Sequence, residues 1–176
     1  MATTRSAARG AAQARRRTLR HRAVVVTPTV ADAVDCLGGW MFDRTMAGSE
    51  TIVLTPCAGH ARALEILGAT ATEFGDLTDY PEWATGFEVL AVAADVHTAD
   101  ARVQEMVRAR RDLGMEQTYF WGRCPAIGFG REFAVATSHQ VSLAGHAFKC
   151  RALDAVGTAR DPRPAAEMFW TYRGPR

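Results

Sequence analysis

An aspartate and a histidine, two residues apart, close the most apolar stretch of the sequence. The stretch is FEVLAVAADV, residues 87–96, and the pair is Asp95 and His97. Side chains two residues apart on a strand face the same side of the sheet, and a carboxylate beside an imidazole can exchange protons near neutral pH. We therefore predict that Asp95 and His97 are acid–base residues. The alternative is that Asp95 or Thr98 caps the next helix and His97 is a solvated loop residue.

A glycine-rich loop with two arginines is the second candidate for chemistry. The segment GRCPAIGFGREF contains Arg123 and Arg131 together with Gly128 and Gly130. Backbone N–H groups of such a loop can surround a phosphate whose charge the guanidinium groups neutralise. Arg123 is thus a predicted charge-stabilising catalytic residue, and Gly128, Gly130 and Arg131 are predicted ligand contacts. A flexible connecting loop is the alternative, because the segment matches neither GxGxxG nor GxxxxGK(S/T).

The same Thr-Pro pair follows two apolar runs, VVVTP at residues 24–28 and IVLTP at residues 52–56. Threonine is a common helix N-cap and proline suits the first helical position, so each pair marks the passage from a strand to a helix. Parallel strands end at one edge of a sheet, where ligands bind, so the hydroxyls of Thr27 and Thr55 are predicted ligand contacts. For the first helix, Thr29 with Asp32 three residues later is an alternative cap.

A metal site is disfavoured. Cys57 and His60 near one helix start, and His146 and Cys150 four apart on another helix, offer suitable donor atoms. Nothing in the sequence brings the two pairs together, so we predict no metal. The four cysteines contain no CxxC pair, which indicates reduced thiols in a cytoplasmic protein.

Alternating apolar runs and helical periodicities predict the fold. The predicted strands cover residues 23–26, 50–54, 70–74, 87–96, 117–121 and 166–172, and the predicted helices cover about 28–47, 57–67, 98–113 and 139–156, with a loop over 122–138. This alternation predicts a single α/β domain over residues 23–176, a three-layer sandwich. Its mostly parallel sheet would have five or six strands in a Rossmann-like or flavodoxin-like arrangement.

Several polar and small residues of the predicted helices need a packing explanation. Gly38 and Gly39 together cost the first helix about 2 kcal/mol relative to alanine, which close packing of this helix on the sheet, or a helix break beside Trp40, would explain. Asp43 and Arg44 are predicted to form a solvated polar edge of the same helix. Arginines 108, 110 and 111 are predicted to face solvent.

Charge is distributed unevenly along the chain. Residues 1–22 contain seven arginines and no acidic residue, whereas the rest contains 14 basic and 19 acidic residues. The first 22 residues have little to bury, so we predict a disordered or loosely helical basic arm that could contact nucleic acid weakly through phosphates. The longest apolar run is shorter than the roughly 20 residues needed to cross a bilayer, so no membrane association is expected.

These observations support two hypotheses about function. In the first, the domain binds a small anionic, nucleotide-like or phosphorylated molecule at the carboxyl ends of its strands, with an enzymatic role open and the cofactor unidentified. In the second, the protein is a non-catalytic interaction partner whose arm contacts nucleic acid or an acidic protein. The aromatic C-terminal strand MFWTY could also be a sheet edge that pairs across a two-fold axis in a homodimer.

Overall fold

A computed structural model describes residues 21–57, 59–74, 86–115, 117–122, 133–158 and 166–172. The strands in these ranges are β1 (Arg22–Val26), β2 (Glu50–Thr55), β3 (Ala69–Glu73), β4 (Val89–Ala93), β5 (Thr118–Trp121), β6 (Phe133–Gln140) and β7 (Ala166–Tyr172). The helices are α1 (Val30–Met46), α2 (Ala61–Ile66), α3 (Ala94–Ala99), α4 (Ala101–Asp112) and α5 (Leu143–Ala155). Residues 1–20 of the predicted arm, and Arg123, Gly128, Gly130 and Arg131, lie outside the described residues.

The described strands form one sheet in the order β3-β2-β1-β4-β5-β7-β6. β1 pairs in parallel with β2 and β4, and the parallel pairing continues outward to β3 and β5. β7 runs antiparallel to both of its neighbours, β5 and β6. The predicted α/β fold with a mostly parallel sheet is confirmed, but the sheet has seven strands instead of five or six.

β6 is the strand that the sequence prediction missed. It lies partly in the segment predicted as a loop, and it pairs with β7 from Phe133 opposite Tyr172 to Gln140 opposite Ala166. Because β6 extends to Gln140, the last helix begins at Leu143 with Ser142 as its N-cap, and not at His139. β7 therefore has a partner strand on each side, and its predicted pairing with a second copy is wrong.

Helices cover both faces of the sheet. Val25 and Ala91 point to one face, where they pack with apolar residues of α1, α2 and α5. Val24 and Leu90 point to the other face and pack with α4. This arrangement follows from the alternation of side chains along strands that are apolar on both faces. None of the helices in the described ranges combines the length and hydropathy that crossing a membrane would require.

α1 begins at the alternative cap. Thr29 has an extended backbone, and its hydroxyl accepts a hydrogen bond from the Asp32 N–H at 3.1 Å. Pro28 precedes the cap, so the first helical residue is Val30. The helix ends at Met46, and Gly48 with a φ of 89° follows, as its position in the sequence predicts.

The two glycines of α1 allow another helix to pack closely against it. This partner is not the sheet, which was the predicted one. A Cβ atom placed on Gly39 would lie 2.3 Å from a methyl carbon of Val141, just before α5. One placed on Gly145 of α5 would lie 3.2 Å from the Gly39 carbonyl oxygen. α1 therefore packs closely at these glycines, as predicted, but it packs on α5 and the residues that precede α5, and not on the sheet.

A buried ion pair lies beside this contact. Glu167 on β7 accepts hydrogen bonds from the backbone N–H groups of Gly39 at 3.0 Å and Trp40 at 2.7 Å, in the middle of α1. The Lys149 ammonium on α5 lies 2.5 Å from the same carboxylate, and both side chains are almost completely buried. Glu167 thus joins α1, α5 and β7.

Arg110 is buried, contrary to the prediction that it faces solvent. Its guanidinium donates to the carbonyl oxygens of Phe87 at 3.0 Å and Glu88 at 2.9 Å, and it lies over the Phe87 ring. Burial lowers the pKa of Arg110 to about 10, so the group stays charged at neutral pH. The arginine connects α4 to the start of β4. This role could not be predicted, because in the sequence Arg110 looks like the charged residues beside it.

Candidate functional site

The hydroxyls of Thr27 and Thr55 lie at the carboxyl ends of neighbouring strands, as predicted. Thr27 donates to the carbonyl oxygen of Thr29 at 2.6 Å. Thr55 donates to the carbonyl oxygens of Pro28 at 3.4 Å and Cys57 at 3.3 Å. Both threonines are fully buried, so their hydroxyls hold the two strand-to-helix turns in place.

Asp95 and His97 do not form the predicted pair on a strand. β4 ends at Ala93, and both residues lie in α3, where residues two apart point in different directions. The Asp95 carboxylate is exposed and accepts from the Val96 N–H at 2.8 Å. The His97 ring is half-buried with its centroid 5.2 Å from that of Phe120, and burial lowers its pKa, so it is neutral at pH 7.

The predicted capping alternative also needs correction. Asp100, and not Asp95 or Thr98, is the N-cap of α4, and its carboxylate accepts from the Arg102 N–H at 2.8 Å. The Arg102 side chain forms an ion pair with the same carboxylate at 2.6 Å. Hydrogen bonds from Arg102, which outweigh burial, lower the pKa of Asp100. The Thr98 hydroxyl donates within α3, to the Ala94 carbonyl oxygen at 2.8 Å.

The sheet order places a topological switch point at the carboxyl edge, between β1 and β4. β1 and β4 are neighbours, yet the chain leaves β1 for α1 on one face and reaches α4 on the other face after β4. The ends of adjacent strands whose helices diverge in this way border a crevice, where open α/β sheets bind ligands. Thr29 and Asp32 lie at the start of α1, which follows β1, and Asp95 lies in the first turn of α3, which follows β4.

The described residues do not assemble a metal site. His146 and Cys150 are in contact, with Nδ1 and Sγ 3.8 Å apart. His60 lies at the start of α2, and Cys57 is exposed. Within the described ranges no three histidine, cysteine, aspartate or glutamate side chains come close enough to hold a metal ion.

A cleft of about 170 Å³ lies on the sheet face, between the C-terminal half of α1 and the β5-β7-β6 end of the sheet. Its floor is buried and aromatic, whereas its more exposed lining residues are mostly polar. The lining residues are Trp40, Arg44, Tyr119, Thr137, Ser138, His139 and Phe169.

Asp43 holds one wall of this cleft. Its carboxylate accepts from the Ser142 hydroxyl at 2.5 Å and the Ser142 N–H at 3.0 Å, and it lies 2.7 Å from Nε2 of His139. Burial alone would raise the pKa of Asp43, but the hydrogen bonds from Ser142 and His139 outweigh it and lower the pKa. Because Asp43 is ionised at neutral pH, Nε2 of His139 carries the hydrogen of this contact.

Asp43 and Arg44 were predicted to form a solvated edge of the first helix, and His139 was predicted to begin the last one. One signal pointed to Asp43: it is four residues after Gly39 and shares its helical face. Whatever packs closely on Gly39 must therefore also approach Asp43. The sequence does not reveal which residues contact Asp43, because Ser142 and His139 are more than 90 residues away from it in the sequence.

Deacetylases of known structure share the fold. The A40926 pseudoaglycone deacetylase Dbv21 matches with a TM-score of 0.61 at 14% identity, over 89% of this chain and 100% of that chain. A deacetylase in complex with teicoplanin matches with a TM-score of 0.60 at 12% identity, over 86% and 97%. A zinc-inhibited form of teicoplanin deacetylase gives 0.55 at 12% identity, over 78% and 84%.

No protein-family model and no curated protein matches the sequence. The structural likeness, at such low identity, establishes the fold alone. The chain is an α/β protein with the fold of these deacetylases.

Proposed function

We propose that this chain binds a small anionic or nucleotide-like molecule in a Rossmann-like crevice at the carboxyl edge of its sheet, and acts on it as an enzyme. The observation that carries the proposal is the adjacency of β1 and β4 with their helices on opposite faces. Such a position is where open α/β sheets bind ligands. The neighbours of known structure include deacetylases of a pseudoaglycone and of teicoplanin, which supports a small-molecule substrate.

The proposed ligand contacts come from the loops around this crevice. Thr27 and Thr55 shape its floor by holding the turns after β1 and β2. Arg123 and Arg131, which follow β5 in the sequence, would supply cations for an anionic ligand, and Gly128 and Gly130 would supply backbone N–H groups.

The proposed catalytic residues are His97, Asp95 and Arg123. His97 is neutral at pH 7 because burial lowers its pKa, which suits a general base. Asp95 is exposed in the first turn of α3, directly after β4, and would exchange a proton with solvent or ligand. Arg123 would stabilise developing negative charge. No step is assigned to a metal ion, because the described residues do not gather a donor set for one.

A thermal-shift titration tests the binding. Inorganic phosphate, AMP and NAD are the probes, and a probe at 100 times its dissociation constant should stabilise the protein by about 2.7 kcal/mol. The double variant R123Q/R131Q should lose this stabilisation. R108Q, which removes an exposed arginine of α4, is the matched control and should keep it.

Two results would contradict the proposal. One is the absence of a saturable shift with every phosphate-bearing probe, and the other is an equal shift in R123Q/R131Q and the wild type. For catalysis, the double variant H97A/R123A should lose turnover of the bound ligand while its circular dichroism spectrum stays unchanged. Turnover that survives in this variant would remove the catalytic assignment and leave the binding proposal standing.

A further inference from the structure

We infer that the cleft beside α1 is a second binding site, for a small aromatic carboxylate with a single planar ring. The cleft lies on the face of the sheet, and α1, β5, β6 and β7 contribute its lining. The inference is independent of the function proposed for the carboxyl edge, because none of the described residues that line the cleft belongs to the set proposed for that edge.

The charge of the lining selects an anion. Arg44 is the permanently charged side chain among the described lining residues, and none of these is an aspartate or a glutamate. The neighbouring carboxylate, Asp43, is occupied by Ser142 and His139. Within the described ranges, no carboxylate forms an ion pair with Arg44, although most of the other described arginines have such a partner. A half-buried guanidinium without a protein carboxylate is well suited to a ligand carboxylate, which it can bind through two parallel hydrogen bonds.

The position of Arg44 supports this role. Its guanidinium carbon lies over the Trp40 ring, 5.3 Å from the ring centroid. Such a cation–π contact limits the motion of the side chain without using the N–H groups that a carboxylate would need.

The floor of the cleft is built from buried aromatic rings, and the partly exposed Tyr119 beside them can contact a ligand ring. Phe169 and Trp40 are only 3% and 4% exposed, and their ring centroids are 5.6 Å apart. Tyr119 contacts Phe169 edge-on, with centroids 5.7 Å apart. An apolar cavity of roughly 150 Å³ accommodates a benzene molecule, so a volume of about 170 Å³ suits one substituted ring.

Asp43 positions His139 and does not face the ligand itself. Its two carboxylate oxygens are occupied by Ser142 and by His139 Nε2. The imidazole is thereby held at the rim of the cleft, near the exposed hydroxyl of Thr137. These two side chains of β6 add hydrogen-bonding capacity to the lining of the cleft.

Benzoate, benzamide and benzylamine are the probes for a test by NMR titration of the full chain. Benzoate should bind saturably and shift the indole N–H signal of Trp40, whereas neutral benzamide and cationic benzylamine should not. Arg44→Gln should weaken benzoate binding by about tenfold or more, because a hydrogen bond to a charged group contributes roughly 1.5–3 kcal/mol. Arg111→Gln also removes an arginine from the last turn of a helix, and it should leave the affinity unchanged.

A second variant keeps the test decisive if R44Q fails to fold. Arg44→Lys retains the charge but loses the planar fork, and its benzoate affinity should fall between those of the wild type and R44Q. The double variant R123Q/R131Q should bind benzoate normally, which separates this cleft from the carboxyl-edge site. The inference is overturned if benzoate does not bind at about 10 mM, a weak affinity even for a fragment. It is equally overturned if benzamide binds as well as benzoate, or if R44Q binds benzoate like the wild type.

Discussion

Asp43 shows how a single carboxylate can join parts of the chain that are far apart in sequence. It accepts from both the backbone and the hydroxyl of Ser142, and the same hydroxyl accepts from the Gly145 N–H at 2.9 Å. One side chain of α1 therefore organises the N-terminus of α5. The negative charge near that helix end is also favourable for the helix dipole.

Asp43→Asn should destabilise the protein at pH 7 by about 1–3 kcal/mol, because two donors from Ser142 and one from His139 lose a charged acceptor. The folded-state pKa of Asp43 is lowered from 3.8. Its stabilising contribution is therefore present above the unfolded-state pKa and is lost as the pH falls through the folded-state pKa. The difference from the wild type in urea unfolding should be full at neutral pH and should shrink below about pH 4.

Asp112→Asn is the control for this experiment. Asp112 is exposed, and its nearest arginine nitrogen is 3.7 Å away, so the change should be close to neutral at both pH values. A D43N protein as stable as the wild type at pH 7 would show that the Asp43 contacts do not stabilise the fold.

At the level of elements, the contact between α1 and α5 depends on two adjacent glycines with unequal surroundings. A Cβ atom on Gly38 would lie 3.0 Å from Cγ of Lys149, in a flexible side chain, whereas one on Gly39 would overlap Val141 at 2.3 Å. Gly39→Ala should therefore destabilise the protein by about 1–3 kcal/mol through overpacking. Gly38→Ala should be close to neutral, because the higher helix propensity of alanine, about 1 kcal/mol, offsets the cost of a small shift in the Lys149 side chain.

Chemical unfolding of the two variants measures this difference. Val141→Ala in the G39A background should restore part of the lost stability, because it removes the overlapping methyl groups, and the interaction energy follows from a double-mutant cycle. Equal stability of G38A and G39A would contradict the close approach of Val141 to α1.

Local patterns predicted most elements and failed where partners are distant. β1, β2 and β5 are apolar runs bounded by turn residues, and the end of α1 carries its own signal at Gly48. β6 was missed because the glycines before it suggested one long loop, and nothing local indicates that β7 pairs with it.

The two candidate sites also differ in how far local sequence patterns predict them. The carboxyl-edge residues follow from strand ends, so the position of Thr27 and Thr55 at those ends is confirmed, whereas their contact with a ligand stays a prediction. Asp95 and His97 were predicted on a strand, but α3 begins at Ala94 and directs the two side chains differently. The cleft combines side chains of one helix and three strands, and only the folded chain brings Arg44 and His139 together. Its chemistry could not be predicted from the spacing of residues.

For the whole molecule, the separation of charge predicts salt-dependent binding of nucleic acid by the first 22 residues. Replacement of Arg15, Arg16 and Arg17 by glutamine should weaken binding to duplex DNA and reduce the slope of log affinity against log salt by up to about 3. Fluorescence anisotropy over a salt series measures this slope. The matched control replaces three exposed arginines outside the arm, Arg62, Arg108 and Arg151, by glutamine. An equal loss of DNA affinity in this control would show that the arm does not make the contact.

The bonds from Gly39 and Trp40 to Glu167 have a consequence for the order in which the protein folds. They join residues 128 and 127 positions apart, and β6 contacts the rest of the sheet through β7. During synthesis, the middle of α1 and the whole of β6 consequently lack their final partners until β7, residues 166–172, has been made. Native contacts of such long sequence separation slow folding and prolong the exposure of incomplete surfaces. A nascent chain released before residue 166 would retain Lys149 without its carboxylate and an unpaired β6, and we expect it to be a substrate for chaperones and proteases.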